Sequence, residues 1–203
     1  MSDSLLKIDM NNLNLNNLSI DEISINEAIE FAKNKIYKSD IEKLIVIFTK
    51  ADKAMCYTIT AEGSEDSSDY ISQGEIARTA LLLGADGIIE MHNHPNDALK
   101  FSFNDFNVMK EAYRAFSSLD IKLIDCMIVV PSNKILSMKD IGLIATYETF
   151  YSKYSGFEAV YMKYMESWEY EEEMYSLKKN VERINGIIEK YGNKEAFNHF
   201  YGK

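Results

Sequence analysis

Apolar residues change period from segment to segment along this chain, and the period of each segment predicts its element. In "SINEAIEFAKNKIYKSD", Ile25, Ala28, Ile29, Ala32 and Ile36 recur on one helical face, and Ser24 with Glu27 makes a capping box at the start. The short apolar runs "LIVIFT" and "AMCYTIT" follow, joined by "KADK", which predicts a β-hairpin. After the acidic loop "AEGSEDSSDY", the segment "SQGEIARTALLLGADG" returns to helical spacing. Ser72 and Glu75 box its start and Gly84 supplies its stop. "GIIEMH" predicts a short strand ending at His92, "SFNDFNVMKEAYRAFSSLD" a helix begun by Ser102, and "KLIDCMIVV" and "KILSM" two strands separated by the turn "PSN". About five strands of mixed direction, interleaved with helices, predict an α/β fold in which helices sandwich a mixed β-sheet.

The pattern changes beyond residue 145. Tyr147, Tyr154, Tyr161, Trp168 and Tyr175 recur every seventh residue, with Phe150, Phe157 and Tyr164 interleaved, which predicts an amphipathic helix with an aromatic seam. "SLKKNVERINGIIEKYG" predicts a further helix. The organisation expected is a polar lead-in over 1–19, with room for a short edge strand, then an α/β domain over 20–144 and a helical extension over 145–203. Such a seam predicts docking on its own domain, a homodimer, or a protein partner bound through 145–175.

Composition narrows the function classes. With 203 residues, 46% of them hydrophobic, the chain can bury a core without disulfides. Cys56 and Cys126, its only cysteines, lie in strand-like apolar runs and read as buried, reduced thiols; without a CxxC pair a thiolate zinc cluster is excluded. The formal net charge is −10 and Lys and Arg form no run, which disfavours nucleic acid as a partner. No stretch approaches the roughly 18 consecutive apolar residues of a membrane span, and "MSDSLLKIDMNN" lacks a signal pattern, so the expected location is the cytoplasm.

The candidate chemistry is concentrated in "MHNHPNDALKFSFND", residues 91–105, which holds two of the three histidines and one of the two prolines. Alternate side chains of a strand share a face, so His92 and His94 can converge on one ion, and Pro95 ends the ladder just beyond them. Asp105, near the start of the next helix, can complete a set of two imidazoles and a carboxylate. That set leaves a fourth position open, as in catalytic zinc sites. His-x-His alone also opens metal sites in barrel amidohydrolases and in phosphoesterases. The full spacing is more specific: His92-x-His94-Pro95, six residues, Ser102, two residues, Asp105 resembles the JAMM (MPN+) zinc metalloprotease motif of JAB domains.

Within that group the flanking "GEIARTALLLGADGII" and "LIDCMIVV…SMKDIGL" resemble the RadC branch over about residues 20–144. The helix-hairpin-helix region that often precedes such domains is not expected in this sequence. The resemblance implies a cytidine-deaminase-like α/β fold, Zn2+ held by His92, His94 and Asp105, Glu42 as acid/base and Ser102 as oxyanion donor. It further implies hydrolysis of a peptide or isopeptide bond in a protein or peptide substrate.

Each residue also has a plainer reading. Glu42 can be a solvated strand end, Ser102 only an N-cap and Asp105 only a first-turn acid. Asp97 suits a turn better than a metal. Glu90, two residues before His92 on the same strand face, is the rival for Glu42 as base or as a further ligand. The family usually has an apolar residue there. The competing functions are a metal-dependent hydrolase of a non-protein substrate, in keeping with the DNA-repair association of the RadC name, and a non-catalytic module working through the helical tail.

Overall fold

The computed structural model describes residues 5–10, 22–61, 71–145 and 147–148, and the helical residues 175, 179, 182–183, 185–186 and 189–190. The acidic loop at 62–70, the seam residues Phe150 to Trp168, and His199 lie outside the described residues.

One mixed sheet organises the elements. β3 (Lys43–Lys50) and β4 (Lys53–Ala61) form the expected antiparallel hairpin. β5 (Gly87–Asn93) pairs with the other side of β3 antiparallel, and β6 (Lys122–Val129) lies parallel to β5. β7 (Ile135–Ser137) closes that side antiparallel to β6. Two-residue strands, β1 (Leu6–Lys7) and β2 (Ile23–Ser24), share the outer edge of β4, one parallel and one antiparallel. The order is β1-β4-β3-β5-β6-β7, with β2 beside β1 on β4. The mixed α/β sheet is the architecture the alternation predicts; the β2 strand had no signal of its own.

Helices flank the sheet, and three of them are bounded among the described residues. α1 (Ile25–Ile36) and α2 (Gln73–Leu83) both begin with the capping boxes read from sequence, and α2 stops at Gly84 in the left-handed conformation, φ 65°. α1 buries Ala28, Ala32 and Ile36 against Ile45, Ile47, Ile89, Met91, Met127 and Val129. These strand residues alternate with Val46, Glu90 and His92, so the histidine and glutamate belong to the opposite face of the sheet. α3 (Phe103–Ser117) carries a buried stripe of Phe106, Met109, Ala112 and Phe116. Cys56 and Cys126 are free and buried, and burial pushes the Cys56 thiol up to about 12, far from a reactive thiolate.

The chain divides into two compact units. Met1–Leu99 with Glu111–Ser137 holds the sheet, and Lys100–Lys110 with Met138–Lys203 forms the other. In the second unit Phe101, Phe106, Met109, Met138, Ile141, Leu143 and Tyr147 are buried, and the Tyr147 ring meets Phe106 edge-on at 6.1 Å. No described helix is long and apolar enough to cross a membrane.

Candidate metal centre

The two histidines lie where β5 gives way to loop. His92 is the penultimate residue of the strand, paired with Leu44 on β3 and Ile128 on β6. His94 is one residue beyond the strand, but its N–H still donates to Val129 O at 3.0 Å, so the pleat persists past Asn93. Both imidazoles consequently reach one point, with Nε2 atoms 3.0 Å apart. Pro95 and Asn96 then turn the chain. Asp97, at φ 59°, takes the Ser132 N–H on its carboxylate at 2.9 Å, and this bond holds its carboxyl below the usual range. The turn role of Asp97 therefore has a direct structural basis.

Glu42 immediately precedes β3, and its Oε1 stands 3.9 Å from His92 Nε2. The carboxylate and the two imidazoles each offer one ligand atom, all within 4.8 Å of one another, and among the described residues they form the one group able to hold a metal ion. Asn93 explains why Glu42 is there. Its side chain is fully buried on the α1 face, opposite the histidines, and it bonds the connection between α1 and β3 three times. Asn93 Oδ1 accepts from Lys43 N at 2.7 Å, and Nδ2 donates to Ser39 O at 3.2 Å and Ile41 O at 3.1 Å. The residue between the histidines thus fixes the backbone on both sides of Glu42. Neither the motif nor its spacing assigns Asn93 this role.

The donor chemistry suits a divalent metal. His94 Nδ1 lies 2.9 Å from the Ala98 carbonyl, which can only accept, so Nδ1 carries the hydrogen and Nε2 presents a lone pair. A ring nitrogen bonded to a backbone carbonyl is the usual support of a metal-binding histidine. Two nitrogens bound tetrahedrally at zinc distances would stand roughly 3.4 Å apart. The 3.0 Å observed needs only a small opening.

Glu90 occupies a different environment. It is 3% exposed, its Oε1 has no hydrogen-bond partner among the described residues, and Cys126 Sγ approaches Oε2 at 4.0 Å. Burial raises its carboxyl to about 7, against the opposing pull of Gln73 and His92. Glu90 stands outside the Glu42–His92–His94 group.

Ser102 and Asp105 belong to the second unit and are bonded to each other at the start of α3. Ser102 N donates to Asp105 Oδ2 at 2.6 Å, and Asp105 N donates to Ser102 Oγ at 3.0 Å. This reciprocal pair is the capping arrangement of the plainer reading. It leaves the Ser102 hydroxyl hydrogen outside the exchange.

A family model described as the RadC-like JAB domain matches residues 23–143. A UPF0758 protein of Carboxydothermus hydrogenoformans is 30% identical over 114 residues, which is 56% of this chain and 50% of that protein. A UPF0758 protein of Fusobacterium nucleatum is 28% identical over 117 residues, 57% of this chain and 50% of its own length. A shorter match, 40% identical over 55 residues, joins the chain to a UPF0758 protein of Cupriavidus taiwanensis. The chain spans about half the length of the first two relatives.

Proposed function

Because the chain belongs to the RadC-like JAB domain family, we propose that it is a zinc-dependent hydrolase that cleaves a peptide or isopeptide bond. The observation carrying this reading is the convergence of Glu42, His92 and His94 within 4.8 Å, with the tautomer of His94 set by Ala98. A RadC-like JAB domain with such a Glu–His–His group fits a metal-dependent hydrolase; zinc, the protein substrate and the third ligand are the finer part of the proposal.

His92 and His94 would hold the ion through Nε2, and the motif spacing assigns Asp105 as the third ligand. The metal would supply the Lewis acidity that makes water a nucleophile at neutral pH and polarises the scissile carbonyl. Glu42, half-exposed at the rim, can take the proton of the attacking water on Oε1 and pass it to the departing amine. The Ser102 hydroxyl, already accepting from Asp105 N, keeps its own hydrogen for the developing oxyanion, an effect that can be worth roughly 3 kcal/mol. No covalent intermediate is required. The substrate is proposed to be a protein or peptide; a net charge of −10 supports this over nucleic acid.

The test is zinc content together with hydrolysis of a panel of peptide and lysine-linked isopeptide substrates. The wild type should cleave at least one. His92→Ala should lose both metal and activity, and Glu42→Gln should keep metal while losing roughly a hundredfold or more in turnover. Stoichiometric zinc without cleavage of any member, but with cleavage of a phosphoester or nucleic acid, would replace the protein substrate by another. Loss of activity in Glu90→Gln with retention in Glu42→Gln would move the acid/base role to Glu90.

A further inference from the structure

The family match ends at residue 143, yet three described residues beyond it contact the chain on either side of Ser102 and Asp105. Asn185 takes both polar groups of the Phe101 backbone: Phe101 N donates to Asn185 Oδ1 at 3.2 Å, and Asn185 Nδ2 donates to Phe101 O at 2.5 Å. Phe101 is 2% exposed and immediately precedes Ser102. One helical turn after Asn185, Glu189 reaches Lys100 with an Oε1–Nζ distance of 3.4 Å. On the other side of the pair, buried Tyr147 meets the ring of Phe106, the residue after Asp105. The Lys100–Glu189 pair is more than half exposed and contributes little by itself. The Asn185 carboxamide is different in kind, because it satisfies a buried peptide that has no strand or helix partner of its own, and such groups are costly to leave unpaired.

We propose that Asn185 is a positioning residue of the metal site, so that the C-terminal extension is a working part of it. By fixing both bonds of the Phe101 backbone, Asn185 sets the direction in which the chain enters α3. It thereby sets the angle at which Ser102 and Asp105 are presented. The helical turn that carries Asn185 then serves the site's chemistry, in addition to any partner it binds. This inference rests on the reading of Asp105 as a ligand.

The experiment compares full-length wild type, Asn185→Ala, Asp105→Ala and the control Glu189→Gln. Zinc affinity is read by competition with a chelator, the visible absorption bands by loading Co2+, and the Phe101 amide by hydrogen exchange. Asn185→Ala should lose protection at Phe101, alter the cobalt bands and weaken zinc binding roughly tenfold, the scale of losing a group that orients a ligand. Glu189→Gln should leave all three unchanged. If Asn185→Ala does not fold, Asn185→Gln, whose longer amide cannot reach both backbone atoms in the same geometry, is expected to behave the same way. Unchanged zinc affinity and cobalt bands in Asn185→Ala, alongside weakened binding in Asp105→Ala, would overturn the proposal. An unaffected Asp105→Ala would remove the ligand reading itself, and the proposal with it.

Discussion

Asn93 lies between two histidines, yet its amide faces the other side of the sheet and bonds the chain fifty residues earlier. Truncating it deprives the half-buried Lys43 N and the Ser39 and Ile41 carbonyls of their shared partner. Asn93→Ala is therefore expected to cost about 3 kcal/mol in urea unfolding and to release Lys43 in amide exchange. Zinc should still bind, since the imidazoles are untouched, while turnover falls by up to roughly a hundredfold as Glu42 loses its anchor. Asp97 gives a prediction in pH. Its carboxyl is held below the ordinary aspartate value of 3.8 by the Ser132 N–H, so it contributes stability above that value and loses it as pH falls through the folded one. The difference in urea midpoint between wild type and Asp97→Asn should accordingly shrink between about pH 6 and about pH 3.

Elements here are set partly by local chemistry and partly by neighbours. Ser72 accepts the Glu75 N–H at 3.2 Å, and Ser72→Ala should cost about 1 kcal/mol in thermal or urea unfolding. Gly87 opens β5 because nothing larger fits. An added Cβ would stand 2.5 Å from Thr49 Oγ1 and 2.6 Å from Ile124 Cδ1, so Gly87→Ala should lower stability by about 1–3 kcal/mol through overpacking. Both capping boxes, the Gly84 stop and the convergence of His92 with His94 could be read in advance because each depends on residues within one turn or one pleat. β2 could not: two residues carry no period, and Ile23–Ser24 is a strand only because the edge of β4 is there to pair with it. The Asn93 and Asn185 clamps join positions 50 or more apart, beyond any local pattern. One sign was present for Asn93, since the alternation through Ile89 and Met91 places it on the buried face, where an amide must find partners.

At the scale of the molecule, one sheet presents opposite sides to two tasks. The α1 face buries the core and, through Asn93, holds Glu42 in place; the other carries His92 and the buried Glu90. Metal bound only by the folded chain must stabilise it. Zinc at a hundred times its Kd is expected to add ~2.7 kcal/mol, which raises Tm by roughly 5–10 °C for a chain of this size. Removing the metal with a chelator should reverse that rise, and His92→Ala should show neither change. Ligation of a catalytic metal by His92 and His94 can be seen outright by anomalous scattering across the zinc edge from a crystal of the zinc-loaded chain. One strong peak is expected within bonding distance of His92 Nε2 and His94 Nε2, beside Glu42. A map with no peak there, and with the two rings bonded only to each other, would contradict it.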